Sequence, residues 1–205
     1  MRAAMFPLLA AAALFAAGCA ERSTPPGPPP VCSCAPGDPV VDPALLAFLS
    51  KARAVHHEAD LAEKAKDERS AISILERLIA GPRPGGKKTP PEVSEVIADT
   101  RARLADLRSR GGDAEGAMRD IAEGLALATT PTHFRGHLFE VKGIVLERQF
   151  EVLQAKGDAP GADRAKAAAI DAFNEAVEIQ NKVIESTLPE GSPVAPGSPS
   201  ADPSP

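Results

Sequence analysis

The sequence predicts an all-α fold of consecutive antiparallel helical hairpins, about six helices, or alternatively a helical bundle. Apolar residues across 43–188 recur three and four positions apart, the period of a helix face. Ala and Leu dominate there and β-branched runs are few, which favours helix over strand. Gly- and Pro-bearing breaks divide the span into helix-length pieces.

The first helix opens at Asp42-Pro43, a capping residue followed by Pro at the first helical position. Leu45, Leu46, Phe48, Leu49, Ala52, Val55, Ala59 and Ala62 form its stripe. Lys66-Asp67-Glu68-Arg69 reads as a tight turn or as part of one continuous helix. The next stripe is Ala71, Ile72, Leu75, Leu78 and Ile79, and it ends at Gly81-Pro82. Gly81 to Thr89 is a loop.

Thr89-Pro90-Pro91-Glu92 reads as a capping box for a third helix, with Val93, Val96, Ile97, Leu104 and Leu107 on its stripe. Gly111-Gly112-Asp113 stops that helix and caps a fourth, carrying Ala117, Met118, Ile121, Leu125 and Ala128. A fifth helix is predicted from about Thr132 to Lys156. It is apolar on two sides: Leu138, Val141, Val145 and Val152 on one, Phe139, Leu146, Phe150 and Leu153 on the other. Gly143 would admit a close neighbour. After a turn at Gly157–Gly161 the sixth helix carries Ala165, Ala169, Phe173, Ala176, Val177, Val183 and Ile184. The fifth and sixth helices form the expected structural centre, with Phe173 buried in it. Glu147, Arg148, Glu151, Asp171 and Glu175 are expected to stay in solvent.

Two stretches flank this domain. Residues 19–42 carry Pro25, Pro26, Pro28, Pro29, Pro30, Pro36 and Pro39, a composition of extended linkers. Residues 189–205 are rich in Pro and Ser and are expected to be a disordered tail. Cys32 and Cys34 sit in the linker as Cys-Ser-Cys. They are a redox or metal pair, or an incidental pair that would close only a strained disulfide.

The chain's beginning reads as a secretory leader. Arg2 is followed by an apolar run, Met5 to Ala17, too short to span a bilayer and interrupted by Pro7. It ends in Leu14-Phe15-Ala16-Ala17-Gly18-Cys19. This stretch resembles the cleavage and lipidation site of bacterial lipoprotein signal peptides, with Ala16 where such signals usually carry Leu. The resemblance implies a signal peptide over 1–18 and cleavage between Gly18 and Cys19. It also implies a diacylglyceryl thioether on Cys19 and an acyl group on its amine. Several acyl chains together hold a protein firmly on a membrane. Ala20 and Glu21 differ from the Asp-type inner-membrane retention signal, which favours the outer membrane, facing the periplasm.

Within the helical span, Ala169-x-x-x-Phe173-x-x-Ala176 resembles the second-helix signature of tetratricopeptide repeats, and Gly143 resembles the Gly of their first helix. The spacing recurs as Ala117, Ile121, Gly124 and as Ala71, Leu75, Leu78, while Leu104 and Gly112 also fit the middle unit. Ala71 and Ala117 are 46 apart, and Ala117 and Ala169 are 52 apart, where that family's period is 34. The resemblance implies stacked hairpins whose shared face holds a protein partner, here in the cell envelope. A lipid-anchored bundle that binds a small ligand or metal is the alternative.

Composition narrows the function. The net charge is −5 and the chain has neither Trp nor Tyr, a poor endowment for nucleic-acid binding. His133 and His137 lie four apart near Glu140, and His56-His57-Glu58 lies near Asp60; both groups read as solvated rather than metal-binding. Glu63 with Lys66 and Asp99 with Arg103 read as solvated pairs within their own helices. No cysteine stands beside a histidine as a nucleophile would, and no phosphate loop follows a strand. Neither catalysis nor a cofactor is expected.

Overall fold

The computed structural model describes residues 42–86 and 88–188. They form six helices, α1 Pro43–Lys64, α2 Glu68–Ala80, α3 Pro91–Arg110, α4 Ala114–Leu127, α5 His133–Ala155 and α6 Ala159–Thr187. There is no strand among the described residues. Gly18, Cys19, Cys32, Cys34 and the stretch 189–205 lie outside them. Among the described residues no helix is long and apolar enough to cross a membrane.

One turn is used three times. At the end of α1, Lys66 takes a positive φ of 60°, and Asp67 N–H donates back to the Ala62 carbonyl. Gly112 (φ 85°) with Asp113 and Gly157 (φ 76°) with Asp158 repeat the arrangement, their N–H groups reaching Arg108 and Leu153. This is the Schellman closure, in which a left-handed residue returns amides to the helix's last carbonyls. Each Asp then caps the following helix, accepting from the N–H of Ser70, Gly116 or Gly161. Asp67, Asp113 and Asp158 stand 46 and 45 residues apart. In that register the third counterpart of Ala71 and Ala117 is Ala162, not Ala169. The tight turn predicted at Lys66 is present, and it divides α1 from α2.

The capping box predicted at Thr89 does not form. Pro90 occupies the cap position of α3 without a side-chain bond. Pro91 keeps Pro90 extended (φ −57°, ψ 142°), so the helix starts one residue later and Thr89 stands one position outside the cap.

The helices pair as α1/α2, α3/α4 and α5/α6, and each hairpin packs only on its neighbours. α3 touches α1, α2, α4 and α5, whereas α1 and α2 touch neither α5 nor α6. The structural centre is therefore α3, not the α5/α6 hairpin. Its Val93 and Ile97 pack with Phe48, Ala52 and Leu78, and its Leu104 and Leu107 with Ala59, Ala71 and Leu75. Its other flank, Ala98, Ala102 and Ala105, packs with Ala117, Ile121, Leu138, Val141 and Val145. Small residues on this flank let α4 and α5 approach closely.

α5 is buried on two sides, as predicted. Leu138, Val141 and Val145 face α3 and α4, while Leu146 packs on Ala169 and Ala172 of α6. Val152, predicted to be apolar-facing, is 50% exposed, at a small hollow it lines with Ser109, Val145 and Arg148. Phe173 is only half-buried, at the margin of the α5/α6 cluster. α6 is the last layer, and among the described residues nothing covers its outer side.

Candidate interaction face

α3 carries charge on opposite sides, and the two sides behave differently. Asp99, Arg103, Asp106 and Arg110 fall at steps of four, three and four, which aligns them on one helix face. Their signs alternate. They do not pair chiefly within α3, as the sequence suggested, but across to α1 and α5.

On the α1 side, Arg103 donates to Asp60 at 2.5 Å, to Glu63 at 2.5 Å and to the His56 carbonyl at 3.1 Å. Arg110 reaches Glu63 at 2.6 Å. Glu63, expected to pair with Lys66, is thus held by two guanidiniums of another helix. Burial raises the Glu63 carboxyl, but the hydrogen bonds from Arg103 and Arg110 outweigh it and leave it below its ordinary value. The Thr100 hydroxyl donates to the Val96 carbonyl at 2.7 Å, which leaves its oxygen to accept from His56 Nε2–H at 3.0 Å. That geometry requires a proton on Nε2, which the neutral Nε2–H tautomer supplies, and burial lowers the His56 pKa.

On the α5 side, His137 Nδ1 lies 3.0 Å from the Asp99 carboxylate, and Arg148 lies 2.8 Å from Asp106 and donates to Ser109 at 2.5 Å. The bond to Asp99 raises the His137 pKa despite partial burial. Burial pushes Asp99 up, while the His137 contact brings it net below its usual range. His133 stacks nearly parallel on His137, centroids 6.3 Å apart, and its Nδ1 is 3.3 Å from Gln180 Nε2. Arg148 is therefore half-buried rather than solvated, and His137 and His56 are structural partners rather than free surface groups. Glu147, Glu151 and Asp171 are exposed as expected, whereas Glu175 is half-buried.

Together these residues make a polar seam across the first helix of every hairpin. His57 and Glu140 are exposed near its edges, whereas Glu58 turns to α2 and pairs with Arg77 at 3.2 Å. Among the described residues no group of three His, Cys, Asp or Glu side chains is arranged to hold a metal ion.

The opposite side of α3 is an ion network. Asp120 of α4, with a side chain only 4% exposed, accepts from Arg101 at 2.8 Å and also from Arg108. Arg108 continues to Glu76 of α2 and Arg101 to Glu123. Burial raises the Asp120 carboxyl, the two guanidiniums only partly opposing it. These groups line a hollow of about 280 Å³ with Arg119, Ile79 and Leu104, in which three cations face three anions. Such a balance fixes α2, α3 and α4 together and presents no net charge to a ligand.

Comparison with known proteins finds no matching family model, no similar curated protein and no similar solved structure. The seam was missed in the sequence because charges four apart on one helix read first as a local pair. The signal was present: four charges of alternating sign on one face have more partners available than their own helix supplies.

Proposed function

We propose that this chain is a cell-envelope lipoprotein, anchored through lipid on Cys19, whose helical domain is a protein–protein interaction scaffold. One observation carries the scaffold reading: a single polar seam runs through the first helices of three stacked hairpins. Stacked hairpins offer extended faces that take contributions from every unit. The thrice-used turn at Asp67, Asp113 and Asp158 supports a repeat architecture of the tetratricopeptide-like kind, although its 45–46-residue step exceeds that family's 34. The anchor reading rests on Ala17-Gly18-Cys19 after a short apolar run, and the proline-rich linker would hold the domain off the membrane. The outer membrane, facing the periplasm, is the destination we favour.

The test uses the full chain in a diderm bacterial host. A photo-crosslinking residue replaces His57, at the seam's edge, and a second chain carries it at Arg69 on α2. A discrete envelope adduct from position 57 that is absent from 69, and lost in Cys19→Ser with the protein released from membranes, is the expected result. Equal crosslinking at both positions, or none at 57, would overturn the scaffold reading. Fatty-acid label retained in Cys19→Ser would overturn the anchor.

A further inference from the structure

The stack has an open end. α3 sits against both helices of the first hairpin, and α5 against both helices of the second. Among the described residues no helix fills the corresponding seat on the third hairpin, between α5 and α6. Its floor on α6 is apolar: Phe173, Ala176 and Val177 line a hollow of about 460 Å³ with Glu140, Gln180 and Asn181. Ile170, Val177 and Ile184, seven residues apart, are each half exposed or more along the same line. Lone exposed apolar residues are ordinary, but a row at heptad spacing beside a hollow marks a binding surface.

The wall on α5 is different. Glu140, Glu147 and Glu151 stand at steps of seven and four, which places them on one face, and all three are exposed. No ion pair engages them among the described residues. An end evolved only to meet water would carry charge on both helices, because polar outer faces are what end units use to stay soluble. Here one wall is acidic and the floor is apolar.

We infer that the α5/α6 groove receives an amphipathic helix with basic flanks from another protein. The helix that fills the preceding seat shows the required apolar pattern: α5 presents Leu138, Val141 and Val145 at steps of three and four. Lysines or arginines beside such a stripe would meet Glu140, Glu147 and Glu151. The acidic wall argues against an anionic lipid surface. It argues equally against a second copy, which would bring the same glutamates together. The inference extends the scaffold reading to a second surface, and its failure is separable from failure of the seam.

The test adds two synthetic 19-residue helical peptides to the full chain in detergent. Both carry Leu, Val and Val at the α5 spacing; one has Lys and the other Glu at the flanking positions. The Lys peptide is expected to bind saturably, more weakly as salt rises, and at least about tenfold more tightly than the Glu peptide. Glu140→Gln/Glu147→Gln/Glu151→Gln should weaken it roughly tenfold, and Val177→Asp should abolish it without lowering the melt. Arg103→Ala, in the seam, should leave peptide binding unchanged. Equal binding of the two peptides, no saturable binding, or indifference to Val177→Asp would overturn the inference. So would a concentration-dependent dimer that Val177→Asp dissolves, which would identify a second copy as the occupant.

Discussion

The ring of Phe173 lies where the side chain of residue 143 would be: a Cβ built on Gly143 would stand 2.5 Å from Phe173 Cε1. Gly143 is thus fixed by contact rather than by backbone conformation. Gly143→Ala should push the ring outward and cost about 1–3 kcal/mol, as overpacking does. Phe173→Ala should cost less than the about 3–5 kcal/mol of a fully buried ring, because this one is half in solvent. The pair should be non-additive: Gly143→Ala in a Phe173→Ala background should be nearly silent in chemical denaturation. Simple additivity would show that the ring does not hold this position.

Stability should concentrate in α3. Leu104→Ala removes a side chain buried among α1, α2 and α3 and should cost about 2–5 kcal/mol. Ile184→Ala, at a position 56% exposed on α6, should stay within about 0.5 kcal/mol. Urea melts of the two variants decide it, and equal losses would move the centre back to the last hairpin.

Asp120 should be the charge least tolerant of removal. Asp120→Ala leaves the guanidiniums of Arg101 and Arg108 without their shared buried partner. Breaking a buried ion network in this way costs about 3–5 kcal/mol. Lys182→Ala, which removes an exposed pair with Glu178 within one helix, should leave the melt unchanged. A mild Asp120→Ala phenotype would mean that water reaches the network.

The two seam histidines should make stability depend on pH in opposite senses. His137 has a folded pKa above its ordinary 6.5, because Asp99 binds the charged ring. Its contribution is full below that ordinary value and fades as pH rises through the folded one. His56 has a folded pKa below 6.5, because burial disfavours its charge. Its contribution is present above 6.5 and is lost as pH falls through the folded value. His137→Ala should therefore lower the melt more at pH 5.5 than at pH 8.5, and His56→Gln should flatten the acid limb; both pH values are about a unit or two either side of the ordinary histidine range. Thermal melts across that range, with NMR titration of each ring, check both. Parallel behaviour of the two variants would refute the assignment.

Much of this was legible in residues with strong local chemistry. Asp42-Pro43, Gly112-Asp113 and the Gly157 turn announced their helix ends, because caps and left-handed residues act within a few positions. The two-sided character of α5 was visible in its stripes. The central role of α3 was not, since Ala98, Ala102 and Ala105 are small and sit among arginines and aspartates that dilute the apolar pattern. Thr89 looked like a cap because the pattern does not register that Pro91 holds Pro90 extended and so moves the helix start one residue on. Asp99, Arg103 and Arg148 looked like solvated charges because their partners lie about forty residues away along the chain, at the 38 to 47 separations of their bonds. The register of the third unit was misread for a related reason: Ala169 and Ala162 both lie on the buried face of α6, and only the turn at Asp158 distinguishes them.

Contacts confined to neighbouring hairpins also set an order of events. A chain that emerges from its N-terminal end delivers α1 and α2 first, and α3 completes their core without waiting for anything later. α4 and α5 then close the second core on the exposed flank of α3, and α6 adds last. Every stage ends with an apolar seat that the next helix in line is already positioned to fill, so the domain can assemble in the sequence in which it emerges, with little need to hold long segments open.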